Sequence, residues 1–151
     1  MSDLAGIQKY LEQKQLAFEV VDLDQEAFTV RDVVRAGIKT NEIVKTLVVR
    51  IDNLNFVALV VRGNDRLDFK KIRKLFGSKT ELAKPEEVLK VVGVSIGAVC
   101  PVKIGIPVYL DKKVLELKNV HMGSGDLKHG LEMKLSDLLK AIGDYQVVEL
   151  I

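Results

Sequence analysis

Two short stretches hold the residues best suited to chemistry: Lys45, at the head of KTLVV, and the loop GAVCP from Gly97 to Pro101. Lys45 shares strand parity with Leu47, Val49 and Ile51, since successive strand side chains alternate between faces. If that face is covered, Lys45 points inward at the strand's end. An unpaired buried ammonium is costly. Such a lysine either opens on a cleft and meets an anion, a phosphate being a natural partner for a mobile point charge, or lays its stem on the protein and snorkels to water. The loop offers main-chain chemistry instead. Gly93 and Gly97 permit close approach of backbone to a ligand and positive φ angles, and Pro101 fixes the loop's exit. N–H groups around Gly97 and Ala98 can be aimed at a developing oxyanion. The same pattern also suits a plain tight connection between a helix and a strand.

Other candidates are weaker. Cys100 lies inside the loop and His121 downstream, so a Cys–His pair is conceivable. No helix N-terminus is evident to acidify Cys100, however, and a small buried cysteine is the commoner outcome. In NVHMGSGDLKHG, His121 and Ser124, the latter between Gly123 and Gly125, suit contact with a substrate or an ordinary turn. In FKKIRKLF, Lys70, Lys71 and Lys74 fall away from Phe69, Ile72 and Phe76, a basic face that suits an RNA backbone or simply solvent. Two histidines and one cysteine leave no Cys/His zinc set, and His121 and His129 lack the helical spacing of paired ligands. No acidic cluster suggests magnesium. Neither a metal nor a cofactor is expected.

The elements that must position these residues mix helices with strands. Leu4, Ile7 and Leu11 recur at helical spacing after a Ser2 cap, and AFEVVDL reads as a strand. Thr29 with Asp32 forms a capping-box pattern opening VRDVVRAG, which stops at Gly37; Thr40 or Asn41 caps a brief turn. KTLVVRI alternates, whereas FVALVV is apolar on both faces and predicts a central, covered strand. Asp68 caps FKKIRKLF, with Gly77 as the stop. Pro85 opens PEEVLKVV, which Gly93 closes. IPVYLD and KVLELKN predict a hairpin around Asp111 to Lys113. GLEMKL is a strand, Ser136 caps DLLKAI, and YQVVELI ends the sequence as a strand. Strands outnumber helices without strict alternation, which disfavours a doubly wound nucleotide fold, and no Gly-x-Gly-x-x-Gly or Walker loop is present. The expected class is mixed α/β: one twisted mixed sheet or partial barrel with helices outside.

Composition agrees with one domain over residues 1–151. At 48% hydrophobic and 29% charged, the chain is globular and long enough to bury a core. Lys and Arg total 23 against 21 Asp and Glu, a net charge of +2, which argues against a protein that coats long duplexes. One cysteine allows no internal disulfide, and MSDLAGIQKYLEQ lacks a basic segment followed by an apolar core. With no apolar run of membrane-spanning length, the expectation is a cytoplasmic protein without membrane contact.

Three blocks together resemble the YbaK/prolyl-tRNA synthetase-associated family of aminoacyl-tRNA editing domains: Thr29 through IVKTLVV, FVALVV with RGND and the basic helix, and GVSIGAVCP with SGDLKHGLEMKLSDLL. Members are free-standing or inserted in prolyl-tRNA synthetase. The resemblance implies a mixed sheet with flanking helices and a cleft for the terminal adenosine of tRNA. Lys45 matches the strand lysine that members need for activity, and the Gly97-to-Pro101 loop the segment that contacts the aminoacyl ester. It further implies substrate contacts at Thr29, Gly93, Pro101, His121, Ser124 and Gly125, with Gly97 and Ala98 acting alongside Lys45. The chain departs from the family at VDLDQEAF, where many members carry a histidine and this one has Asp22 and Asp24. The expected activity is metal-free hydrolysis of a mischarged tRNA, tRNA(Pro) bearing Cys or Ala. Expected partners are the aminoacyl-tRNA 3′ end and prolyl-tRNA synthetase, with the protein a monomer or weak homodimer. A non-catalytic module that binds a tRNA end or nucleotide is the alternative, and a cysteine-dependent hydrolase a third reading.

Overall fold

The structure, a computed structural model, describes residues 3–151. Helix α1 spans Leu4–Gln13 and is capped by Asp3, whose carboxylate accepts the Gly6 N–H at 2.9 Å. The Ser2 cap expected above lies outside the described residues. Helix α2, Val30–Arg35, opens with the capping box the sequence predicts: the Thr29 hydroxyl accepts the Asp32 N–H, and the Asp32 carboxylate accepts the Thr29 N–H. Helices α3 (Phe69–Phe76) and α4 (Pro85–Val92) begin and end as predicted, at Asp68 and Gly77 and at Pro85 and Gly93. Helix α5 spans Leu135–Ile142 with Lys134 at the cap position, so Ser136 lies inside the helix rather than capping it.

Strands β1 (Glu19–Asp22), β7 (His129–Lys134) and β6 (Asn119–Gly123) form an antiparallel three-stranded sheet in the order β1-β7-β6. A five-stranded sheet runs β4 (Glu81–Leu82), β2 (Val44–Arg50), β3 (Phe56–Arg62), β5 (Val108–Asp111) and β8 (Gln146–Val148). It is mixed: β4, β2 and β3 pair antiparallel, while β5 lies parallel to both β3 and β8. One parallel bridge, Ile43 to His121, joins the two sheets. The mixed α/β class with flanking helices is as expected, with its strands divided between two bridged sheets.

Strand β3 is buried along its interior because both faces are covered. One face, with Val44, Val48, Ala58 and Val60, packs on α1, α4, α5 and the smaller sheet. The other, with Val49, Leu59 and Val61, packs on Ile72 of α3 and on Leu150. This double burial is why FVALVV carries no alternation. The expected hairpin does not form. Both edges of β5 are occupied by parallel neighbours, and residues Lys112–Glu116 turn away as a 3-10 helix. Buried Asp111 fixes that exit, accepting the Lys113 N–H at 3.0 Å and the Leu150 N–H at 2.8 Å.

Candidate functional site

Strand β2 starts at the bridge between the sheets, and a cleft of about 950 Å³ opens around this start. Its walls are the entry and start of α2 (27–31), the head of β2 (43–47), residues 63, 64 and 66 after β3, residues 96, 97 and 99, the end of β6 (121–123), and residues 126, 127, 129 and 130. Among the sequence-predicted residues, the cleft gathers Thr29, Lys45, Gly97 and His121.

Lys45 is half-buried on the parity face that packs toward α3, as its spacing predicts. Burial lowers its pKa from the ordinary 10.5; attraction to Asp65 opposes this shift and repulsion from Arg66 adds to it. The lysine thus stands at the cleft where an incoming anion would relieve desolvation and repulsion together. His121 is almost fully buried, with Nδ1 2.9 Å from Glu132 Oε2. Its ring lies directly over Gly130, where a Cβ would collide with Cε1 and Nε2.

Gly97 corrects one part of the sequence reading. Its φ is not among the positive values, and what approaches it closely is protein. A Cβ there would sit 2.6 Å from Phe28 Cα and 2.8 Å from the Ala27 carbonyl oxygen. The glycine therefore lets the entry to α2 pack on the segment Ile96–Ala98, a 3-10 turn, and so shapes the cleft's rim. Ala98 is a second correction. Its N–H donates to the Ser95 carbonyl and its carbonyl accepts the Gly125 N–H, both at 2.8 Å, so its amide is committed within the fold. Gly97 precedes the first donor of that turn, so its N–H has no acceptor within it.

Four further candidates lie outside the cleft's walls. Gly93 ends α4 in the left-handed conformation, φ 81°. Pro101 is buried. The Ser124 hydroxyl donates to the His129 carbonyl at 2.6 Å, and Gly125, φ 89°, ties this turn to Ala98. Ser124 and Gly125 brace the loop against β6. Cys100 is also absent from the walls; it is wholly buried, and burial pushes its thiol up to about 12. A thiolate nucleophile paired with His121 is thereby removed. Asp22 and Asp24, the departure from the family pattern, are exposed and outside the cleft, with Asp22 accepting the Asp24 N–H at 2.8 Å.

The structure adds residues that the sequence reading passed over. Asn64 and Arg66, from the RGND turn and the residue after it, reach the cleft beside Lys45. Asp126 lines it too, accepting the Lys128 N–H at 2.8 Å and lying 3.5 Å from His129 Nδ1. That N–H, with help from His129, holds the carboxyl below its usual range. Phe28, 51% exposed, and Ile96 and Val34 give the rim an apolar surface. Thr46, buried in the wall, has a hydroxyl with no hydrogen-bond partner among the described residues. Residues 64 and 126 lie in stretches that read as turns and residue 66 just after one, so the only available signal was their polarity beside or near glycines. Among the described residues, no cluster of three or more His, Cys, Asp or Glu side chains is placed to hold a metal ion, and no helix is long and apolar enough to cross a membrane.

Comparison with known proteins fits this geometry. The family model for the aminoacyl-tRNA editing domain matches residues 24–141. The proline–tRNA ligase of Caldicellulosiruptor saccharolyticus is 30% identical over 146 residues, covering 87% of this chain and 25% of the ligase. That of Caldicellulosiruptor bescii is 34% identical over 103 residues, covering 67% and 18%. The chain thus spans about a quarter or less of the ligases it matches, but protein YwhH of Bacillus subtilis, 27% identical, is covered over 88% of its length and covers 89% of this chain. Among solved structures, hypothetical protein APE2540 superposes with a TM-score of 0.83 at 28% identity, covering 95% of this chain and 97% of that one. A protein described as a proposed trans-editing enzyme for prolyl tRNA synthetase gives 0.80 at 31%, covering 95% and 93%. The match takes in the cleft-lining segments from Ala27 to Gly130, and on that ground the chain belongs to the aminoacyl-tRNA editing domain family.

Proposed function

We propose that the protein is a trans-editing domain that hydrolyses the ester between a wrong amino acid and tRNA, acting on tRNA(Pro) that carries alanine or cysteine. The observation that carries this reading is one cleft, in a chain of the editing family, bordered by both Lys45 and Gly97. An aminoacyl ester is already labile, so orientation and charge stabilisation suffice and no strong protein nucleophile is needed. Lys45, with Arg66 beside it, holds a phosphate near the terminal adenosine. The Gly97 N–H faces the ester carbonyl as it becomes tetrahedral, and His121 and Thr29 border the acyl and nucleoside ends. The nucleophile is water, oriented by a ribose hydroxyl of the substrate, or the thiol of a cysteinyl substrate. It bonds to the carbonyl carbon, the bond from that carbon to the tRNA oxygen breaks, and that oxygen takes up the proton the nucleophile gives up.

Selectivity follows from sterics. A synthetase pocket rejects a smaller amino acid weakly, and a second, narrower site removes what the first admits. Proline is excluded here while alanine, cysteine and serine enter. The domain occupies residues 1–151, works in the cytoplasm, and meets prolyl-tRNA synthetase through their shared tRNA. The test is incubation with tRNA(Pro) charged in turn with alanine, cysteine, serine and proline. Faster ester loss for the small amino acids, with prolyl-tRNA spared, supports the reading. Binding without accelerated loss for any of them favours a non-catalytic module instead.

A further inference from the structure

Strand β2 carries an unused donor in the wall of the cleft. Thr46 is 6% exposed, and its buried hydroxyl oxygen has no hydrogen-bond partner among the described residues. A buried hydroxyl without a partner loses its hydration for no return, and such exceptions in a native fold call for an explanation. The main chain around it is also open. The Ile43 carbonyl accepts the Gly63 N–H and the Ile51 N–H donates to Asn55, so odd-numbered residues of β2 turn their main-chain groups toward β3. The Val48 carbonyl accepts the Ala83 N–H, so even-numbered residues face the other edge. On that edge β4 pairs only with Val49 and Arg50, and the Ile43–His121 bridge closes only the strand's start. Thr46 lies between them, and among the described residues no strand pairs with it there.

The surroundings select the kind of atom this residue meets. Lys45, Arg66 and Arg31 border the cleft against the single carboxylate of Asp126, so an electron-rich ligand atom is favoured there and a cation is not. The Ala98 amide, expected to hold the oxyanion, is committed to Ser95. We propose that Thr46 replaces it: its hydroxyl, with its edge N–H, donates to the carbonyl oxygen of the bound aminoacyl ester and strengthens that bond as the oxygen gains charge. This rests on the hydrolase reading given above.

The experiment compares Thr46→Val, Thr46→Ser and Thr80→Val with the wild type on an alanyl-tRNA(Pro) minihelix, together with thermal unfolding. Thr80 also has a buried, unpartnered hydroxyl but lies outside the cleft, so it controls for the removal of an orphan group. Both valine variants should unfold at or above the wild-type temperature. Thr46→Val should lower kcat about 100-fold with little change in KM, as loss of an oxyanion donor does. Thr46→Ser should restore most of the rate, and Thr80→Val should match the wild type. If Thr46→Val does not fold, Thr46→Ala takes its place. A folded variant lacking the hydroxyl with wild-type kcat overturns the role of Thr46 while leaving the hydrolase reading intact. A wild type inactive on every mischarged substrate overturns both.

Discussion

Gly97→Ala separates packing from ligand contact at the glycine loop. Its φ is ordinary, so alanine meets no backbone strain there. The obstacle is steric: the new Cβ falls 2.6 Å from Phe28 Cα and within 2.9 Å of the Ala27 and Phe28 carbonyl oxygens. The carbon–carbon distance is about 0.9 Å short of ordinary contact. All three atoms are main chain and cannot rotate away. Overpacking of this kind costs about 1–3 kcal/mol, while a gain of about 0.4–1 kcal/mol comes from stiffening the unfolded chain. The net loss is up to about 2.6 kcal/mol, which at this chain length lowers Tm by up to roughly 10 °C. Because Phe28 and Thr29 border the cleft, kcat/KM for deacylation should fall as well, although the Gly97 N–H survives. Circular dichroism melts and a minihelix deacylation assay measure the two effects. A Tm above the wild-type value would refute the close-packing account. Gly93→Ala is the counterpart: φ of 81° with nothing within 4 Å predicts a strain cost of about 1–2 kcal/mol with deacylation unaltered.

Lys45→Met should lower deacylation at least about 100-fold while the protein still folds; turnover near the wild-type rate would discredit the lysine. The lowered pKa of Lys45 also has a stability consequence. Between its folded-state pKa and 10.5 the unfolded chain holds more protons at this site, so native stability rises with pH across that window. Urea titrations of wild type and Lys45→Met should diverge in that direction, and parallel curves would argue against a desolvated ammonium. Cys100, with its thiol at about 12, should resist alkylation at pH 8 until denaturant is added, and Cys100→Ala should deacylate normally; rapid labelling of the native protein would contradict its burial. Gly130→Ala should displace the His121 ring and break its contact with Glu132, lowering stability by about 1–3 kcal/mol; an unperturbed melt would show that the ring does not lie over this residue.

Local chemistry was written plainly in the sequence wherever a signal acts within one turn. The Thr29–Asp32 box, the Asp68 cap, Pro85 and the Gly77 and Gly93 stops all lie where their residues predict, because capping depends on neighbours three or four positions away. FVALVV announced a covered strand, and the parity of Lys45 placed it on a packed face. The supposed hairpin at Asp111 was not legible, because what prevents it is the occupation of both edges of β5 by strands distant in sequence. The cleft depends on the tertiary structure in the same way. Residue types mark Lys45 and Gly97 as unusual, but only folding sets the Ala27–Phe28 main chain against Gly97, commits the Ala98 amide to Ser95, and leaves Thr46 between two sheets without a partner. Periodicity and capping are short-range and survive in a linear string, whereas which donor stays free depends on what the rest of the chain has already claimed.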